Sequence, residues 1–330
     1  MRYLSAKDIQ QTFTMSDAIK ADKEALSLYS SGRADIPLRT NIDIPEHNGQ
    51  SLYMPGYMSG ASPALGIKLV SVYPDNIAKH LPSVPATMVT LDAKTGIVNA
   101  ILDGTYLTQL RTGAVQGAAT DLLAKKNAKA ALLIGTGGQG MAQLEAMLTV
   151  RHLTIVYVSD LDKKRAQDFC DEAKAKFGYT FKTKFQVVDF ADDVVPFVDI
   201  ITTVTTSRRP TFNGSLVKPG AHINGVGAYT PEMAELPAEA LVKADRIIFD
   251  TMDGVLAEAG DMIQPLKRGI IDKDKFNGEL GQVINGRIDG RTEEDQITVF
   301  KTVGTAALDV IVADRIVKAA EKEGIGAVLD

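Results

Sequence analysis

Three cationic residues in the first third of the chain stand isolated in apolar or turn settings: Arg39 in DIPLRTNI, Lys68 in ALGIKLVSVYP and Arg111 in LTQLRTGAV. Lys68 lies between Ile67 and Leu69 in a strand-like run, so it points to the face opposite theirs. By spacing alone it could equally be a solvated lysine. Arg111 is expected to open a helix, RTGAVQGAAT, whose glycine and alanine content permits close backbone approach. A guanidinium matches a carboxylate or a pyrophosphate in two-pronged fashion. The chemistry these residues suggest is recognition of a small anionic substrate.

A second signal is KAALLIGTGGQGMAQ, where an apolar run turns to glycine and then resumes a helical pattern. Gly135, Gly137 and Gly140 match G-x-G-x-x-G between a strand and a helix, with Gly138 and Gln139 in the same turn. Gly135 would allow the tight turn, Gly137 the approach of a pyrophosphate, and Gly140 close strand–helix packing, leaving a helix N-terminus to face phosphates. The next strand, LTIVYVSD, ends in Asp160, about twenty residues beyond the last glycine, where a carboxylate accepts ribose hydroxyls. A phosphate-binding P-loop fails because Met141 stands where lysine is required. A methyl-donor site often has an acid at the end of the first strand, whereas Leu132, Leu133 and Ile134 run uncharged into Gly135. Asp160 disfavours a 2′-phosphate, so NAD(H) is expected ahead of NADP(H), although Lys163, Lys164 and Arg165 lie close enough to blur the preference.

The elements that must hold these groups are of two textures. The first third mixes a helix in TFTMSDAIKADKEALSLYSSG, with Thr14 and Asp17 as a capping box and Gly32 as a stop, with strands LGIKLVSVY and ATMVTLDAKTGIVNAIL, the latter a hairpin around Asp92 to Gly96. From residue 129 strands and helices alternate, which predicts an open, mostly parallel sheet covered by helices. The last segment, DQITVFKTVGTAALDVIVADRIVKAAEKEG, reads as one long helix that could pack back on the first third. The expected fold is therefore α/β. A Rossmann-type dinucleotide-binding domain over 119–302 is expected to be inserted in a discontinuous α+β domain formed by 1–118 and 303–330.

Composition narrows the function classes. With 36 basic and 41 acidic residues interspersed and a net charge of −5, no basic stripe suggests nucleic acid. No leader pattern and no long apolar run predicts a membrane anchor, so a cytoplasmic protein is expected. The single cysteine, Cys170, sits in a helical pattern as a packing residue, and His47, His80, His152 and His222 are too dispersed for a metal site.

The motifs LGIKLVSVYP, LDAKTG, LTQLRTGAVQGAAT, LIGTGGQG, INGVGAYTPEMAEL and GRTEEDQITVFKTVG, in this order over nearly the whole chain, resemble the ornithine cyclodeaminase/mu-crystallin family. The resemblance implies a homodimer that binds NAD(P) and acts on a small imine or amino acid, with the domain formed by 1–118 and 303–330 binding substrate and dimerising; mu-crystallin-like members instead suggest a small-molecule binding protein. It implies that Arg39, Lys68 and Arg111 form the substrate-carboxylate cluster, with Lys68 as proton donor or acceptor. Arg111, Thr112, Gly138, Gln139 and Asp160 match cofactor contacts, and Thr205, Val226, Gly227 and Thr302 complete the expected cofactor set. Ornithine cyclodeaminases carry two acids that here fall at Tyr229 and Leu52. A distal ammonium in a closed pocket without a counter-charge would lose several kcal/mol to desolvation, so ring closure of ornithine is disfavoured. The expected reaction is NAD(P)H-dependent reduction of an imine-carboxylate, a cyclic one such as 1-pyrroline-2-carboxylate ahead of the alanine-forming alternative.

Overall fold

The computed structural model describes residues 1–329. The chain forms two compact units, one from Met1 to Arg111 completed by the segment from Thr305 onward, the other from Thr112 to Gly304.

In the first unit an eight-stranded sheet runs in the order Ala327–Val328, Arg2–Leu4, Val98–Asp103, Ala86–Leu91, Ala64–Val72, Gly49–Met58 and Ala34–Asp35, with Thr40–Ile44 also pairing to Gly49–Met58. The long antiparallel pair sets Met54 opposite Lys68 and Leu52 opposite Val70. Along Ala64–Val72 the even-numbered residues from Ala64 to Val70 are buried and the odd-numbered ones are not. Lys68 is therefore on the covered face, opposite Ile67 and Leu69 as the alternation predicts. That face is covered by the helices Met15–Tyr29 and Ala306–Glu323. The first begins with the expected capping box: Thr14 Oγ1 accepts from the Asp17 amide at 3.2 Å and donates to Asp17 Oδ2 at 2.6 Å. The second is capped by Thr305 and stopped by Gly324 at φ 69°. Helix and sheet approach closely at Gly56, where a Cβ would stand 2.7 Å from Ile36 Cδ1 and 3.3 Å from Val310 Cγ2.

The second unit is a Rossmann-type sheet of eight parallel strands, ordered Lys184–Val187, Ile155–Ser159, Ala130–Ile134, Ile200–Thr203, His222–Gly225, Thr298–Lys301, Arg246–Phe249 and Gly278–Glu279. Numbered along the chain from Ala130–Ile134, the sheet order is 3-2-1-4-5-8-6-7, and the reversal between strands 1 and 4 places a dinucleotide crevice at the carboxyl ends there. Separate apolar clusters are built around Leu132, Ile201 and Ile223 and around Leu133, Val156 and Phe169. Cys170 is a packing residue of the second cluster.

Two sequence expectations change. Arg111 does not open a helix but lies inside Gly104–Leu123, whose start is held by Asp103 Oδ1 accepting from the Tyr106 amide at 2.8 Å. The segment DQITVFKTVG is not helical: Thr298–Lys301 is a strand between His222–Gly225 and Arg246–Phe249, buried throughout. A strand covered on both faces lacks polar alternation and cannot be told by period from a buried helix.

Candidate active site

In the first unit the structure joins Lys68 and Arg111 through a residue the sequence reading missed. Asp309, on the C-terminal helix, places Oδ2 2.7 Å from Lys68 Nζ and Oδ1 2.8 Å from Arg111 Nε. Lys68 is 1% exposed and Asp309 is fully buried. Burial drives the Lys68 pKa down and Arg111 adds to the effect; Asp309 opposes both, and the ammonium titrates at about 8. Arg39 also depresses it, which puts all three sequence-predicted cations in one electrostatic neighbourhood. Burial works against ionisation of Asp309, but Arg111 and Lys68 outweigh it and hold the carboxyl below its usual range.

A second missed acid is Asp22, fully buried on the helix Met15–Tyr29, with neither carboxyl oxygen hydrogen-bonded. Burial raises its pKa well above the ordinary range, with Arg111 pulling against the rise. Lys68 and Arg111 share one ion-paired anion, Asp309. The paired set thus sets two cations against one carboxylate, a surplus that a substrate carboxylate would balance. Leu52, Met54 and Val70 lie on the same covered sheet face and make the surroundings apolar.

The second unit carries the fingerprint glycines. Gly135 adopts φ 104°, and a Cβ there would meet Val204 O at 2.9 Å. At Gly140 a Cβ would stand 3.1 Å from both Gly135 O and a Phe169 ring carbon. Gly137 differs: a Cβ there would meet nothing within 4 Å, so the fold itself does not need this glycine. Gly137 and Gly138 are exposed, and the helix Gly140–Val150 starts after Gln139 without a side-chain cap. The Gly140 amide donates to Gly137 O at 2.9 Å, and the amides of Met141 and Ala142 that follow it remain for an anion. A pyrophosphate fits this cradle.

Asp160 Oδ2 accepts from the Thr136 amide at 2.9 Å and from Thr136 Oγ1 at 2.6 Å. Oδ1 pairs with Arg165 at 2.5 Å. Burial resists ionisation of Asp160, but the bonds from Thr136 and Arg165 prevail and hold its pKa at about 2. It is a fixed anion at neutral pH, suited to ribose hydroxyls. Of the neighbouring cations only Arg165 is engaged with it, since Lys163 pairs with Asp189 at 2.8 Å and Lys164 with Asp168 at 2.6 Å.

Thr205, Val226, Gly227 and Thr302 follow the carboxyl ends of the three adjacent strands Ile200–Thr203, His222–Gly225 and Thr298–Lys301. Thr112 lies in the helix Gly104–Leu123, where Gly113 packs so closely that a Cβ would stand 2.6 Å from Ala142 O. Of the small residues of RTGAVQGAAT, Gly113 serves this approach. Leu52 is buried and Tyr229 half-buried, and neither supplies a carboxylate. Among the described residues no group of three or more acid, histidine or cysteine side chains could hold a metal ion, and no helix is long and apolar enough to cross a membrane.

A parallel-stranded dinucleotide fold paired with a buried cationic cluster defines a class of nicotinamide-dependent enzymes of small anionic substrates. The model of the ornithine cyclodeaminase/mu-crystallin family matches residues 2–324, and the chain belongs to that family. It is 35% identical over 326 residues to a Delta(1)-pyrroline-2-carboxylate reductase of Bacillus cereus, covering 99% of this chain and 98% of the relative. The structure of Thermococcus litoralis Delta(1)-pyrroline-2-carboxylate reductase in complex with NADH and L-proline superposes with a TM-score of 0.94 at 37% identity, over 100% of both chains. An archaeal alanine dehydrogenase dimer with bound NAD gives a TM-score of 0.89 at 31% identity, over 100% of this chain and 99% of that one.

Proposed function

We propose that this protein reduces a cyclic imine-carboxylate, Δ1-pyrroline-2-carboxylate first among them, to the L-amino acid with NADH. The observation that carries this reading is the buried Lys68–Asp309–Arg111 set, whose surplus positive charge sits on an apolar sheet face. The relatives named for this reaction and the NADH and L-proline complex support the same choice.

NADH, when bound, supplies the hydride that adds to the imine carbon. Arg111 and Arg39 would anchor the substrate carboxylate and fix that carbon in a reactive orientation. As the C=N pair moves to nitrogen, protonated Lys68 would donate the proton that nitrogen needs, and solvent would restore it. A pKa of about 8 leaves Lys68 protonated at neutral pH yet able to give up its proton. Asp309 holds the ammonium and guanidinium in place and limits the fall of the Lys68 pKa. In this reading the unit containing Lys68 binds substrate and dimerises, and the unit containing Gly135–Gly140 binds the cofactor. The dimeric alanine dehydrogenase neighbour supports dimerisation, and dependence on NADH suits a cytoplasmic location.

The apolar side chain at Leu52 argues against ornithine, whose distal ammonium would lack a counter-charge there. Purified protein should oxidise NADH with Δ1-pyrroline-2-carboxylate and form L-proline. NADH oxidation with pyruvate plus ammonia alone would move the assignment to alanine formation, and silence on every substrate would leave a binding protein.

A further inference from the structure

Glu235, in the segment YTPEMAEL, is fully buried, and its carboxylate collects backbone amides from two separate loops. The Thr205 amide donates to Oε1, while the Gly227 and Ala228 amides donate to Oε2 at 2.6 and 2.8 Å. These loops leave the carboxyl ends of neighbouring strands Ile200–Thr203 and His222–Gly225. Gly227 admits no side chain, because a Cβ would stand 2.0 Å from Thr205 O and 2.7 Å from Glu235 Oε2. Glu235 is itself held from behind. Its amide and that of Leu236 donate to Asp261 Oδ1 at 2.6 and 2.9 Å, and Asp261 Oδ2 pairs with Lys301 Nζ at 2.7 Å at the end of the next strand. The carboxylate therefore ties together loops from the strand ends that face the half of a dinucleotide beyond the pyrophosphate, whereas the adenosine ribose belongs to Asp160 on the other side of the reversal.

We propose that Glu235 is the positioning residue for the nicotinamide half of the cofactor, its carboxylate fixing the backbones of Thr205, Gly227 and Ala228 in the arrangement that receives the ring. The proposal rests on the dinucleotide reading above. A carboxylate offers only acceptors, so it can serve all three amides at once; a glutamine in its place would turn an NH2 group against at least one of them. The titratable groups facing it are Lys301 from the strand Thr298–Lys301 and Asp261 from the helix Gly260–Lys267. Burial raises the Glu235 pKa, Lys301 opposes the rise and Asp261 adds to it, for a value of about 7.

The test compares NADH with ADP-ribose, which lacks the nicotinamide, by calorimetric titration of the unaltered protein and of Glu235→Gln. The variant should bind NADH about tenfold more weakly, as expected for a lost charge-assisted bond, with ADP-ribose affinity unchanged. Equal weakening of both ligands, or of neither, would overturn the proposal. Failure of the unaltered protein to bind either ligand would overturn the dinucleotide reading and the proposal with it. Should Glu235→Gln not fold, the unaltered protein carries the test: NADH affinity should fall as pH drops below about 7 while ADP-ribose affinity stays level. A parallel response of the two ligands would contradict the assignment.

Discussion

In the proposed reaction Lys68 is the residue on which the chemistry turns. With its ammonium titrating at about 8, imine reduction should hold its rate at neutral pH and lose it above about 8, whereas amino-acid oxidation should gain rate over the same range. Opposite pH profiles for the two directions would establish this, and identical profiles would remove the lysine from proton transfer. Asp309 supplies a second prediction. Asp309→Asn leaves Lys68 and Arg111 without their shared anion, so the Lys68 pKa should drop and the pH limit of reduction should move to lower pH. A buried charge left unpaired costs about 3–5 kcal/mol, so the variant should also melt earlier than the unaltered protein. The cations were legible as charges isolated in apolar sequence, and by the same mark so was their partner. Asp309 sits in AALDVIVA, a run as apolar as the one around Lys68, and the same reasoning applied there would have found it. Asp22 is masked by Lys20 and Lys23, yet it shares the helix face of Ala18, Ile19, Ala25 and Leu26, and that period was its only signal.

At the scale of elements, the three fingerprint glycines separate into fold and function. Gly140→Ala should lower thermal stability, because its Cβ enters contacts of 3.1 Å with backbone and Phe169. Gly137→Ala should fold and melt as the unaltered protein does, since its Cβ meets no atom, but should lose about tenfold or more in NADH affinity by occupying the pyrophosphate's space. Melting curves and NADH titrations of the two variants check both halves; a Gly137→Ala protein with unimpaired NADH binding would place the pyrophosphate elsewhere. The strand–glycine–helix pattern was readable because local backbone demands leave local marks. The strand Thr298–Lys301 was not, because its burial on both sides is imposed by neighbours distant in sequence. The same holds for Glu235 and Lys301, whose partners come from other elements.

For the molecule as a whole, acid stability follows from a buried histidine. His222 lies between Thr298 Oγ1 and Asn224 Oδ1, each at 2.9 Å. Burial lowers its pKa to about 3, and Arg291 adds to the effect. The unfolded chain takes up a proton near the ordinary histidine value while the folded chain does not. This contribution is present above that value and is lost as pH falls toward about 3, by about 1.4 kcal/mol per unit. Urea midpoints should therefore fall between neutrality and mild acid, and His222→Gln should flatten that dependence. The most direct measurement of what the whole chain does is NADH oxidation with Δ1-pyrroline-2-carboxylate by the unaltered protein and by Lys68→Met, with NADH binding measured in parallel. The expected result is rapid formation of L-proline by the former and a rate about 10²–10⁴-fold lower for the latter, with equal NADH affinity. Comparable turnover by the two proteins would contradict the role of Lys68, and absence of L-proline from the unaltered protein would contradict the reductase assignment itself.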